Sequence, residues 1–269
     1  MPFIDIRKIV QQKLPNKHVP EVAIRYLEKI VHVQQINDYF RRNPERVGFD
    51  FLKDAIENEL GATVSVTGTE NLTNLGNEPV TFVSNHPLGG LDGMIIAQQI
   101  GQYRGERLRV IVNDLLMALT PMKDIFAPVN KLGAQTREYA VQQRAIWDSD
   151  YDILSFPAGF CSRRQSWRGP IKDYAWKQTF IKQSLRTHRK IVPIYFEGEN
   201  SRFFYNLSFW RMKLGLPNIE MLYLADEMYK ARGKHFVVHF LPAVEPDGMS
   251  AADIQNIVYN YATNHRPSR

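Results

Sequence analysis

A chain of 269 residues with 44% apolar content is long enough for one large domain or two small ones with a real core. Its single cysteine excludes an internal disulfide framework, and with seven histidines it leaves little material for a structural zinc site. The net charge of +6 is uneven: between Ile153 and Phe196 nine basic residues face one acid, Asp173, so that segment alone carries +8. Such a field suits an anionic partner: a phosphorylated substrate, an acidic carrier protein, an anionic bilayer surface or nucleic acid.

The N-terminus, "MPFIDIRKIV", lacks the apolar run of a signal peptide. Its continuation, "FIDIRKIVQQKL", gathers Ile4, Ile6, Ile9, Val10 and Leu14 near one helical face. "VPEVAIRYLEKIVHVQQINDYF" reads as a second helix, with Pro20 in its first turn and Ile24, Leu27, Ile30 and Val31 on one side. A third helix is expected over Gly48 to Leu60. Residues 1–60 thus form a helical subregion packed on a main domain of residues 61–269. These apolar faces suit either a sheet or a lipid surface.

Beyond residue 60 the pattern changes. "ATVSVTG" and "VTFVSN" read as strands, "GLDGMIIAQQIGQY" as a helix and "RLRVIVN" as a strand. "LLMALTPM" is far shorter than the ~20 residues of a spanning helix. "IFAPVNK" holds a further strand and "TREYAVQQRAIWDSD" a helix. "DILSFPAG" is a buried strand stopped by Pro157 and Gly159, and "GPIKDYAWKQTFIKQSL" a helix with proline in its first turn. "KIVPIYFEG" and "KHFVVHFLPAV" complete the strands. The alternation predicts an α/β fold, an open mostly parallel sheet covered by helices. The expected location is cytoplasmic, peripheral on the inner face of the cytoplasmic membrane.

Chemistry concentrates at strand ends, where a rigid sheet holds loops in place. After "VTFVSN" comes His86, held extended by Pro87. Gly89 and Gly90 permit a tight turn or close approach of a ligand. Asp92 falls in the first turn of the next helix, where it can return to the imidazole, fix its tautomer and leave the other nitrogen to take a proton from a substrate hydroxyl. The plainer reading is a loop histidine beside an acid that favours the helix N-terminus. A second strand end carries Pro157, Gly159, Cys161, Ser162, Arg163, Arg164 and Arg168, suited to a phosphate or an oxyanion. Cys161 reads as inert packing. A third brings Glu197, Glu199, Asn200 and Arg202, then the aromatic run Phe203, Phe204, Tyr205, Phe209 and Trp210, which suits core, an acyl channel or a lipid surface.

The blocks "NHPLGGLD", "FPAGFCSRR" and "IVPI", in that order between Val64 and Leu241, resemble the glycerolipid acyltransferase family that includes lysophosphatidate acyltransferases. "NHPLGGLDG" with "FPAG" looks closer still to its bacterial haemolysin-like subgroup, which includes enzymes that O-acylate lyso-forms of amino-acid lipids such as ornithine and glycine lipids. The resemblance implies an O-acyltransferase in which His86 is the general base and Asp92 its partner. It implies an acyl thioester on coenzyme A or acyl carrier protein as donor, with no permanently bound cofactor and no metal. The acceptor is the hydroxyl of a lysolipid, an amino-acid lysolipid or lysophosphatidate. Substrate contacts are implied for Asn85, Gly89, Gly90, Pro157, Gly159, Ser162, Arg163, Arg164, Glu197 and Arg202. Two features depart from the family pattern. Five residues, Pro87 to Leu91, separate the histidine and aspartate where four are usual, and Ala158 replaces the usual glutamate, a role left to a group such as Glu197. The departure at Ala158 weakens the case for lysophosphatidate.

Three rivals remain at this level: an acyl ester or thioester hydrolase using the same base on water, a non-catalytic lipid- or carrier-binding protein, and a nucleic-acid binder. No GxSxG elbow supports a serine hydrolase. No zinc-finger or helix-turn-helix module supports nucleic-acid binding, and no nucleic-acid partner is expected. The chain also has no dinucleotide or Walker-type glycine motif.

Overall fold

The computed structural model describes residues 4–16, 18–113, 116–117, 119–129 and 137–265. Parts of "MPFIDIRKIV", "LLMALTPM" and "IFAPVNK", and the first residue of "TREYAVQQRAIWDSD", lie outside the described residues.

Helices α1 (Ile6–Lys13), α2 (Glu21–Ile30), α3 (Val33–Arg42) and α4 (Gly48–Asp54) come first, and α4 runs on into a π-helical turn, Ala55–Glu59. Then follow β1 (Thr63–Thr67), α5 (Glu70–Thr73), β2 (Thr81–Ser84), α6 (Leu91–Arg104), β3 (Leu108–Asn113), β4 (Phe126–Val129), α7 (Arg137–Trp147) and β5 (Asp152–Ser155). A two-residue hairpin pair, β6 (Arg163–Arg164) and β7 (Ile171–Lys172), precedes α8 (Thr179–Arg186) and β8 (Ile191–Glu197). The chain closes with α9 (Arg202–Lys213), a 3-10 turn at Ile219–Tyr223, α10 (Leu224–Lys230), β9 (His235–Phe240) and α11 (Ala251–Asn264).

The main sheet has seven strands in the order β1-β9-β8-β2-β5-β3-β4. Every neighbouring pair is parallel except β8–β9. All four residues of β2 are buried, as expected for a central strand covered on both faces. Phe82 points into one core with Leu52, Ile56, Ile95 and Ile96 of α4, the π turn and α6. Val83 points into the other with Phe180, Ile254 and Val258 of α8 and α11. The fold is therefore the open, mostly parallel α/β sheet that the alternation predicts.

Two helices differ from the sequence reading. The long helix expected through "VPEVAIRYLEKIVHVQQINDYF" is broken at His32, which sits in the left-handed region at φ 54°. Its ring stacks on Tyr229 at 4.4 Å and its Nε2 lies 3.0 Å from Asp226, contacts that offset an unfavourable backbone state. Pro20 caps α2 instead of entering its first turn. In "GPIKDYAWKQTFIKQSL" the helix begins only at Thr179, because Ile171–Lys172 pairs antiparallel with Arg163–Arg164. Asp173 and Trp176 are then drawn inward as buried loop residues. Among the described residues no helix is long and apolar enough to cross a membrane.

Candidate active site

Strands β5, β2 and β8 are adjacent and parallel, so their C-terminal ends open on one edge of the sheet. This is why three blocks far apart in sequence meet: His86 follows β2, Phe156 follows β5, and Asn200 follows β8.

His86 and Asp92 come together as the turn through Gly89 and Gly90 requires. His86 Nδ1 lies 3.0 Å from Asp92 Oδ2. Gly89 sits at φ +79°, and a Cβ there would lie 2.9 Å from Cys161 Sγ and 3.0 Å from Leu224, so neither the backbone nor the space admits a side chain. The turn also aims the Leu88 and Gly89 amides at Asp92 Oδ2, while the Gly93 amide reaches Oδ1. The five-residue spacing is thus accommodated by a loop whose own N–H groups clasp the carboxylate. Burial pushes the Asp92 carboxyl up, but the electrostatic interaction and hydrogen bond with His86 and the loop amides more than reverse it, holding it below the usual carboxylate range.

The imidazole stacks on Phe156 at 4.1 Å between ring centres. Its backbone is fixed on both sides: His86 N–H donates to Asp173 Oδ1 at 3.3 Å, and its carbonyl accepts from Ser162 N–H at 2.7 Å. The side chain is 16% exposed, against 0% for Asp92, and no described residue hydrogen-bonds Nε2. The ring is therefore locked at Nδ1 and open at Nε2. Gly90 has open space where a side chain would be.

The remaining expected site residues divide. Asn85 is buried and makes a reciprocal pair with Phe196, donating to its carbonyl at 3.0 Å and accepting from its N–H at 2.8 Å. It locks β2 to β8 and its amide is spent there. Ser162 is buried and donates to Asp173. Arg163 is only 1% exposed; its guanidinium bonds Glu220, the Cys161 carbonyl and Cys161 Sγ, so it does not face solvent. Arg164 is half-buried and donates to Asn206, while Arg202 opens α9 exposed to solvent. Pro157 accepts from Lys177 N–H, and Gly159, at φ +73°, turns the chain back to the Phe156 carbonyl. Glu197, the expected stand-in for the missing glutamate, is instead engaged with His239 at 2.9 Å. Ala158 lies in the core beside Trp176, so the position where the family carries a carboxylate here faces inward.

Sequence reasoning does not assign Asp173 or Phe156 to the site, and it places Asn200 at the third strand end without its role of supporting the His86 loop. Asp173 gathers the His86 amide, Ser162 Oγ and Trp176 Nε1. Burial pushes its carboxyl up against the bonds from Ser162 and Trp176. The signal was present: it is the one acid in a segment of nine bases. Asn200 donates to the Pro87 carbonyl and holds the other side of the loop.

Cys161 is buried, and its thiol is pushed up to about 11 by that burial. It is a poor nucleophile at neutral pH. Replacing it with alanine is expected to leave turnover within about threefold of wild type in a steady-state assay, since it serves packing; loss of turnover with the fold intact would point to a covalent intermediate on the cysteine.

The family model described as Acyltransferase matches residues 8–258. A lyso-glycine lipid O-acyltransferase of Phocaeicola vulgatus is 45% identical over 239 residues, covering 88% of this chain and 84% of that protein. A protein of the same description from Bacteroides thetaiotaomicron is 44% identical over 241 residues, covering 88% and 87%. Among solved structures, the 1-acyl-sn-glycerophosphate acyltransferase PlsC of Thermotoga maritima aligns with a TM-score of 0.49 at 15% identity, covering 99% of this chain and 91% of that one.

Proposed function

The chain belongs to the acyltransferase family matched over residues 8–258, and on that premise we propose that it moves a fatty acyl group from an acyl thioester to the hydroxyl of a lysolipid, specifically an amino-acid lysolipid of the lyso-glycine type. One observation carries the catalytic part: His86 is fixed at Nδ1 by a buried carboxylate and open at Nε2. The acceptor class is supported by the two relatives near 45% identity, each described as a lyso-glycine lipid O-acyltransferase.

In this reading the neutral imidazole accepts the acceptor hydroxyl proton at Nε2 as the oxygen attacks the thioester carbonyl. Asp92 is a positioning residue: it holds the tautomer with the proton on Nδ1 and stabilises the imidazolium. Collapse of the tetrahedral intermediate breaks the carbon–sulfur bond, and the proton on Nε2 passes to the departing thiolate. The products are an ester and a free thiol. The thioester, on acyl carrier protein or coenzyme A, is a substrate, and the scheme uses no bound cofactor. The lysophosphatidate alternative is disfavoured, because Arg163 is spent on Glu220 and Ala158 faces the core. A lysolipid acceptor resides in a membrane, and in this reading the protein works peripherally on one, at the inner face of the cytoplasmic membrane. We keep residues 1–60 as a helical subregion, packed on the main domain through Phe51, Leu52 and Ile56.

The test offers purified protein one labelled acyl chain as acyl carrier protein and coenzyme A thioesters in parallel, with a lyso-glycine lipid or lysophosphatidate as acceptor. Ester formed on the lyso-glycine lipid, and not on lysophosphatidate, is the expected result. Thioester loss without lipid product would replace the reading with hydrolysis.

A further inference from the structure

The side of α9 turned away from the core carries large apolar groups in the open. Phe203, Trp210 and Leu214 recur at helical spacing, with Trp210 53% and Leu214 69% exposed. Leu216, Ile219 and Leu222 continue the surface beyond the helix, also exposed. Trp167, from the β6–β7 hairpin, joins it with ring contacts to Phe209 and Trp210 at 5.6 and 5.7 Å. Phe203 meets Tyr223 at 5.1 Å, which ties the far end of the patch to the helix.

These side chains are not exposed through looseness of the segment. Between Ile219 and Met221 sits Glu220, fully buried, bonded to both Arg163 and Arg211. That ionic pin fixes the backbone and leaves its apolar neighbours facing outward. A contiguous apolar surface on a pinned segment marks an interaction face.

Charge identifies the occupant. The two stretches that build the face, residues 160–172 and 201–222, contain seven basic residues and one acid, the buried Glu220. Glu220 offsets one of the two charges on Arg163 and Arg211, and Arg164, Arg168, Lys172, Arg202 and Lys213 remain in these stretches without a carboxylate partner among the described residues. Exposed tryptophan and leucine ringed by lysine and arginine fit an anionic bilayer, where the rings enter the interface and the cations meet headgroups. The face also adjoins the candidate site: Leu224, directly after the pinned turn, lies against Gly89 of the His86 loop.

We propose that the outer side of α9 with the 214–222 segment and Trp167 docks the enzyme on an anionic lipid surface, so that its acceptor enters from the bilayer without crossing water. The choice of occupant rests on the lysolipid-acceptor reading, and the binding measurement is independent of catalysis. The variant W210S/L214S/L216S is compared with wild type for partition onto vesicles of phosphatidylglycerol and phosphatidylcholine, 1:1, and of phosphatidylcholine alone. Thermal melts check that both fold. The expected result is wild-type partition at least tenfold stronger on the anionic vesicles, cut tenfold or more in the variant. Quenching of tryptophan emission by brominated lipid should be strong in wild type and weaker in the variant. Equal binding by variant and wild type overturns the proposal, as does wild-type binding indifferent to anionic lipid. A dimer that the variant dissociates, with vesicle binding unchanged, assigns the face to a second copy instead. If docking is confirmed while no acyl transfer occurs, the function reading fails and the surface stands.

Discussion

Replacing His86 with alanine is expected to lower kcat for acyl transfer by about 10²–10⁴-fold, the usual contribution of a positioned general base. The protein should remain folded. The ring's main contact is the stack on Phe156, and the loop keeps its shape through bonds that do not involve the imidazole: Asp173 to the His86 amide, Ser162 to its carbonyl and Asn200 to Pro87. Asp92 loses its histidine but keeps the Leu88, Gly89 and Gly93 amides. A quench-flow or steady-state assay at saturating acceptor, with a thermal melt, separates the two effects. Turnover near wild type in a folded His86→Ala protein would remove the proposed base. Asp92→Asn serves as a companion. It should also lower kcat, because an amide in that position can present a donor to Nδ1 and favour the wrong tautomer.

Glu220→Ala should be the most damaging change to stability away from the sheet. Glu220 is fully buried between Arg163, itself 1% exposed, and Arg211. Removing the carboxylate leaves a buried guanidinium uncompensated, a loss of about 3–5 kcal/mol. Chemical denaturation measures it. A loss below about 1 kcal/mol would mean that Arg163 finds water or another partner at once. The same carboxylate predicts acid sensitivity. Burial pushes it up, but the Arg211 hydrogen bonds and the charges of both arginines leave it below the usual range. Its folded pKa is therefore lower than its unfolded one, which is about 4.3. The stabilisation is fully present above that value and is lost as pH falls through the lower folded pKa. Wild type should lose this contribution in acid, while Glu220→Ala should show a shallower decline.

What the sequence disclosed follows from range. His86 and Asp92 are six residues apart, and a proline, two glycines and a helix start nearly dictate the turn between them. The three strand ends could be ordered by their apolar runs, and a parallel sheet brings such ends to one edge. Contacts that depend on distant partners stayed hidden. Asn85 looked like a substrate ligand because nothing local shows that its amide pairs with Phe196, 111 residues away. Arg163 looked like a phosphate ligand because its partner, Glu220, lies 57 positions on. Helical spacing ran through "GPIKDYAWKQTF", yet the hairpin and the burial of Asp173 and Trp176 override it. His32 likewise gives no local sign of a break; the cause is its contacts to Asp226 and Tyr229.

The Asn85–Phe196 pair has a temporal side. A chain made from its N-terminus produces the His86 turn early, but the strand that clamps it, β8, comes more than a hundred residues later. Until β8 docks, the central strand lacks one neighbour and Asn200 is not there to hold Pro87. Pairings of such long sequence separation form slowly. The nascent protein should therefore carry the histidine and its aspartate for about a hundred residues of synthesis without an assembled base, and acquire acyl-transfer activity only as the last third of the chain is released.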